Sequence, residues 1–268
     1  MRGAATSMTT KPMTASNGMP EPDPVPVSAA GRATVAGAEV VLETVALTAG
    51  YSDLPAVREV SLTVRRGEVV ALFGANGAGK TTTLLATVGA LGRMSGEVRW
   101  RGVATTSPMR KLARQGLAFV PEERSIISGL SVLDNLRLGL GSVEKALSYF
   151  PELEPLLGRG AGLLSGGQQQ MLTLARALAA EPIALVIDEL SLGLAPLVVE
   201  RLLAVLRSAA DERRLGVLVV EQQAQRALAV ADRWYLLANG RNAAEGTRAS
   251  GLESLRAAFL SHMRGAEK

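Results

Sequence analysis

The chain has 268 residues, of which 47% are hydrophobic and 3% aromatic, and a net charge of +4. That suits one large α/β domain, or a domain with an insertion, and it disfavours a base-stacking nucleic-acid surface. There is no cysteine and a single histidine, His262, which excludes a disulfide framework, a thiolate metal site and a Ser-His-Asp triad.

Residues 1 to 37 are rich in Ala, Thr, Ser and Pro, with prolines at 12, 20, 22, 24 and 26 and no apolar periodicity. They read as a disordered tail. Met1 to Met13 lacks the apolar stretch of a secretory signal, and no apolar run reaches the roughly 18 residues of a membrane-spanning helix. A cytosolic location follows as the default expectation.

From Ala38 the composition changes. Val40 to Leu42 and Val45 to Leu47 read as strand, Ala49-Gly50-Tyr51 as a turn, and Val57 to Val64 as strand up to the turn Arg65-Arg66-Gly67. The apolar run Val69 to Phe73 then leads into Gly74-Ala75-Asn76-Gly77-Ala78-Gly79-Lys80-Thr81-Thr82 and a helical pattern to Val88. Strand, glycine-rich turn and helix form the setting of a phosphate loop. Small residues let backbone N–H groups wrap a polyphosphate, and the helix N-terminus adds its dipole. Lys80 brings a mobile charge to the β- and γ-phosphates. The Thr81 hydroxyl is an oxygen ligand suited to Mg²⁺.

Gly89 to Gly96 reads as a turn-rich link, Glu97 to Trp100 as strand, Met109 to Gln115 as a short basic helix, and Leu117 to Val120 as a buried strand stopped by Pro121-Glu122. Ser131 reads as the N-cap of a helix with Asp134 at its third position, and Val143 to Phe150 as a further helix ended by Pro151. Leu164-Ser165-Gly166-Gly167-Gln168 heads a helix with apolar residues at Met171, Leu174, Ala175 and Leu178. The apolar strand Ile183 to Ile187 ends in Asp188-Glu189. A helix over Leu197 to Ala209 follows, then strand Gly216 to Val220 ending in Glu221-Gln222-Gln223. A helix over Ala224 to Ala231, strand Arg233 to Leu237, the turn Asn239-Gly240 and a helix over Leu252 to Leu260 complete the reading.

Together the motifs resemble the ATP-binding cassette ATPases over about residues 40 to 263. The signature is Leu164-Ser165-Gly166-Gly167-Gln168 and the Walker B pattern Leu185-Val186-Ile187-Asp188-Glu189. The resemblance implies a P-loop NTPase core with a mostly parallel sheet, an N-terminal antiparallel β subdomain and a helical subdomain inserted at about residues 123 to 170, all within 38 to 268. It implies ATP and Mg²⁺, with Thr81, Asp188 and Glu122 around the cation and Glu189 as general base. Tyr51 matches the aromatic that stacks on adenine. Gln222 stands where most cassettes carry a histidine against the γ-phosphate, and an amide donates a hydrogen bond there without taking a proton. Ser165, Gly166, Gly167 and Gln168 would act in trans, in a head-to-tail dimer.

Three further segments, Val120-Pro121-Glu122, Ser191 to Pro196 and Val220 to Gln223, resemble the LivF type of branched-chain amino acid importers. That likeness implies a peripheral subunit on the cytoplasmic face of the plasma membrane, beside a second ATPase, equal or different, and permease subunits. A substrate-binding protein would be an indirect partner, and no nucleic acid is expected. Leu190 departs from the family's proline and Glu123 from its glycine. Two rival readings stay open: a non-transport cassette acting on nucleic acid or the ribosome, and a weakly catalytic nucleotide-binding regulator.

Overall fold

The computed structural model describes residues 37–265 apart from Arg124 and Gln222. The expected tail therefore lies, except for Gly37, outside the described residues. The first sheet holds β1 (Val40–Tyr51), β2 (Leu54–Arg65), β4 (Arg93–Trp100) and β5 (Val103–Ala104), antiparallel in the order β2-β1-β4-β5. The second has β3 (Val69–Gly74), β6 (Leu117–Val120), β7 (Ala184–Ile187), β8 (Gly216–Val220), β9 (Arg233–Ala238) and β10 (Arg241–Thr247). Its order is β10-β9-β3-β8-β7-β6, and every neighbouring pair is parallel except β9 with β10.

The alternation of β3 divides the interior in two. Val69, Ala71 and Phe73 face one cluster, together with α5 (Gly166–Ala179) through Leu174 and α6 (Pro196–Arg213) through Leu202 and Leu206. Val70 and Leu72 face the other, together with Leu84 of α1 (Lys80–Thr87), Leu112 of α2 (Met109–Arg114), and Val41, Leu47 and Val60 of the antiparallel sheet. A strand covered on both faces must be apolar at every position. β7 and β8 are buried at every residue, which is why they stand out as uninterrupted apolar runs.

Between β6 and β7 lie α3 (Val132–Arg137), α4 (Val143–Tyr149), two 3-10 turns over Pro151–Leu156 and Ala161–Leu163, and then α5. Ser131 caps α3, its Oγ accepting from the Asp134 N–H at 3.0 Å. The base of this segment closes on itself: the Val132 N–H donates to Arg159 O at 2.9 Å, and the Ala161 N–H to Leu130 O at 2.8 Å. The remaining helices are α7 (Ala224–Val230) and α8 (Gly251–Gly265).

Two local expectations are corrected, and one strand is added after a turn that stands where it was expected. Ala49-Gly50-Tyr51 is strand rather than turn; Tyr51 pairs with Leu54 and the chain reverses at Ser52-Asp53. β4 begins at Arg93, because Ser95 pairs with Thr48 and Arg93 with Ala49 across a bulged register. Pairing with β1 overrides the turn-like composition of that stretch. After Asn239-Gly240 the chain returns as β10, a polar edge strand with Arg241 opposite Ala238.

Candidate active site

The glycine-rich stretch leaves β3 at Gly74 and enters α1 at Lys80. Gly79 has φ +97°, and a Cβ there would lie 2.3 Å from Val57 Cγ1 and 3.2 Å from Ala56 O. Only glycine allows that conformation at that approach. The contact seats the loop against β2, whose hairpin with β1 carries the exposed Tyr51. Gly77, at φ +78°, has nothing within 4 Å of its Cβ position, so the turn opens outward there. No side chain caps α1 and no acidic residue occupies its first turn, which leaves the positive end of its dipole uncompensated.

Lys80 is buried to 7% exposure, and its Nζ donates to Gly74 O at 3.0 Å and Ala75 O at 3.1 Å. The ammonium is thereby drawn back over the turn it follows. Thr81, next in the chain, is exposed, while Thr82 is buried.

β7 delivers Asp188. β8 lies between β7 and β3, yet the Asp188 carboxylate comes within interaction range of the Thr81 hydroxyl. Asp188 is 2% exposed and its Oδ1 is buried with no hydrogen-bond partner. Burial pushes its pKa up; the Thr81 hydroxyl opposes this, the Glu189 and Glu122 charges add to it, and Lys80 again opposes. A buried carboxylate oxygen without a donor, beside a threonine hydroxyl, fits a hard cation that takes oxygen ligands. Among the described residues no group of three His, Cys, Asp or Glu side chains is placed to hold a metal by itself. A donor set of this kind needs ligand oxygens to complete it, as Mg²⁺ in phosphate sites does.

Glu189 follows with φ 48°, a left-handed conformation uncommon for glutamate. Its side chain lines a cavity of about 100 Å³ with Ser191, Leu192, Gly193 and Gln223. Leu190, the departure noted in the sequence, is 1% exposed and packs in the core. Gln222 lies outside the described residues. Its neighbour Glu221 is 1% exposed and accepts hydrogen bonds from Ser191 Oγ and from the Gln223 N–H, the latter at 3.0 Å.

Ser165 is the N-cap of α5 in a reciprocal capping box: the Gln168 N–H donates to Ser165 Oγ at 3.3 Å, and the Ser165 N–H to Gln168 Oε1 at 2.9 Å. Gly166 and Gly167 form its first turn, and Gly167 lies close under Val198 of α6. Among the described residues no hydrogen bond joins this turn to the phosphate loop. The structure thus brings Lys80, Thr81, Glu189 and Glu122 within reach of Asp188, while Ser165 belongs to a separate turn. Sequence reasoning gave no role to Ser191 or Glu221. The available signal was a carboxylate directly after the all-apolar β8.

Against known proteins, the family profile described as "ABC transporter" matches residues 57–191. The chain belongs to the ABC transporter family. The high-affinity branched-chain amino acid transport ATP-binding protein BraG of Pseudomonas aeruginosa is 40% identical over 203 residues, 71% of this chain and 86% of that one. The probable branched-chain amino acid transport ATP-binding protein LivF of Archaeoglobus fulgidus is 36% identical over 217 residues, 77% of this chain and 92% of that one. The lipopolysaccharide export system ATP-binding protein LptB of Escherichia coli is 36% identical over 213 residues, 75% of this chain and 88% of that one. A solved dimeric ATP-binding cassette in a post-hydrolysis state bound to ADP and Pi superposes with a TM-score of 0.69 at 25% identity, covering 77% of this chain and 98% of that one. This ABC protein is accordingly the ATP-binding, ATP-hydrolysing component of a transporter. Among the described residues no helix is long and apolar enough to cross a membrane.

Proposed function

We propose that this ABC ATPase hydrolyses Mg-ATP to drive import of branched-chain or related small amino acids, and that Glu189 is its general base. The observation that carries the site is the buried Asp188 carboxylate, with an unpartnered Oδ1, beside the Thr81 hydroxyl and within electrostatic reach of Lys80, Glu122 and Glu189. In this reading the backbone from Gly74 through Ala75, Asn76, Gly77, Ala78 and Gly79 cradles the β- and γ-phosphates, with Thr82 in the first turn behind them. Lys80 exchanges its carbonyl partners for phosphate oxygens. Thr81 and Asp188, with Glu122 nearby, would hold Mg²⁺, which supplies charge compensation for the phosphates. Glu189 orients a water in the adjoining cavity and takes its proton. Gln222 donates a hydrogen bond to the γ-phosphate, and Tyr51 stacks on the base.

The capped Ser165-Gly166-Gly167-Gln168 turn faces the ATP of a second subunit. The dimeric state of the ADP- and Pi-bound relative supports that arrangement. The segment at about residues 123 to 170 acts as the helical subdomain, and Glu122 couples it to a permease at the cytoplasmic face of the membrane. The BraG and LivF likenesses support the amino-acid substrate class over the LptB likeness, since the identity to BraG is higher. Residues 1 to 37 stay outside the cassette in this division.

Purified Glu189→Gln tests the assignment. Nucleotide affinity stays within about twofold, and turnover falls by about 10² or more, the contribution typical of a positioned base. Equal turnover in mutant and wild type rejects Glu189. Vesicles containing the co-purifying permease distinguish the substrates: ATP-dependent leucine uptake supports the amino-acid reading, and lipid movement without it rejects that reading.

A further inference from the structure

We propose that Ser191 is a positioning residue for hydrolysis. Its hydroxyl, donating to the buried Glu221 carboxylate, clamps the turn that carries Glu189 to the segment that follows β8. The inference rests on the reading of Glu189 as general base.

The need for a clamp comes from the backbone. Glu189 sits at φ 48°, a region that non-glycine residues leave unless their surroundings determine it. On its upstream side the Asp188 N–H donates to Val120 O at 2.9 Å, which carries the β6–β7 ladder to the residue before Glu189. On its downstream side Leu190 is buried in the core, and the Leu194 N–H donates to Ser191 O at 3.1 Å. These contacts hold the turn within its own layer. The Ser191 hydroxyl ties it sideways to the residue that follows β8.

The acceptor is well placed for that task. Glu221 follows Val220, the last residue of β8, and is 1% exposed, so its carboxylate is held in a low-dielectric setting where hydrogen bonds are strong. The same Oε1 atom accepts from Ser191 Oγ and from the Gln223 N–H. One oxygen therefore joins the Glu189 turn to the residue opening α7. Glu189, Ser191 and Gln223 also line the same cavity of about 100 Å³. Loss of the hydroxyl would loosen one wall of that cavity against the other beyond the end of the β7–β8 ladder, and displacement of a catalytic group by about 1 Å costs up to about 10² in rate.

The test is steady-state ATP hydrolysis by the purified full-length chain, with melting temperature read in parallel. Ser191→Ala lowers kcat by about tenfold with KM within about twofold, because the group affected acts in the transition state and not in ATP binding. Ser191→Thr keeps the hydroxyl and recovers most of the rate. In a Glu189→Gln background, Ser191→Ala gives no further loss, since residues acting as a unit are not additive. A kcat within twofold of wild type in Ser191→Ala, no rescue by Ser191→Thr, or full multiplication onto Glu189→Gln would each overturn the clamp. A slow Glu189→Gln beside a normal Ser191→Ala overturns the clamp alone. A normal Glu189→Gln overturns the base assignment and with it the route from Ser191 through Glu189. Where Ser191→Ala fails to fold, Glu221→Gln retains an acceptor oxygen and Glu221→Met removes it. The clamp then requires the Met variant to be the slower, and equal rates overturn it.

Discussion

Two of the glycines with positive φ in the phosphate loop, Gly77 and Gly79, differ in surroundings, and that difference sets a quantitative expectation. An alanine at either position pays left-handed strain of about 1–2 kcal/mol, partly offset by up to about 1 kcal/mol from a stiffer unfolded chain. At Gly77 nothing lies within 4 Å of the new Cβ. At Gly79 the new Cβ would lie 2.3 Å from Val57 Cγ1, and Val57 is fully buried and has nowhere to retreat. Overpacking of this kind adds about 1–3 kcal/mol. Gly77→Ala should thus cost about 1 kcal/mol and Gly79→Ala about 3 kcal/mol. At the sensitivity of a domain this size, those losses lower the melting temperature by about 2–4 °C and about 6–12 °C. Thermal melts followed by circular dichroism, without nucleotide, measure both. Gly77→Ala should nonetheless weaken Mg-ATP binding by tenfold or more, because its methyl projects into the open side of the turn, where the proposed site places phosphate. If Gly79→Ala melts no lower than Gly77→Ala, the seating of the loop against β2 is not what holds it.

Three other outcomes follow from buried charge and capping. Burial raises the Asp188 pKa, so the folded chain holds a proton that the unfolded chain releases as pH rises through the ordinary aspartate value. Stability falls over the interval from there to the raised value and stays lower above it. Asp188→Asn should therefore raise the melting temperature of nucleotide-free protein at neutral pH, with the gain shrinking in acid; a gain independent of pH would refute this. Arg207, 8% exposed, donates to Asp211, Asp232, Val230 O and Gly67 O, and Arg207→Ala leaves the part-exposed Asp232 carboxylate with the Val69 N–H at 2.9 Å. Chemical denaturation should register a loss of about 1–3 kcal/mol, and a loss below about 0.5 kcal/mol would dismiss the network. Ser165→Ala forfeits the α5 cap, about 1 kcal/mol, with nucleotide affinity of the dilute subunit retained and turnover reduced where subunits pair. Equal turnover at all protein concentrations would remove Ser165 from the shared site.

Much of the candidate site could be proposed from the sequence because its pieces are local. Gly74 to Thr81 spans one turn, and Asp188 ends an unbroken apolar strand, so spacing and burial pattern announce both. The central strands were legible for the same reason: being covered on both faces leaves no room for a polar residue in β7 or β8. The start of β4 and the whole of β10 were not, since Arg93 to Gly96 and Arg241 to Thr247 are polar stretches recruited by their partners. The Ser191–Glu221 bond was hidden for a different reason. Thirty residues separate its ends, and nothing local to either marks the other.

The paired base of the segment between Leu130 and Ala161 has a further consequence. Its entry and exit strands of chain are fastened to each other before the helices begin, so the ends enter and leave at one point. Lengthening or trimming what hangs beyond that clasp adds little closure entropy, which grows only slowly with loop length. Such a module can be refitted to a new docking partner, one helix at a time, while the register of β6 with β7 stays as it is.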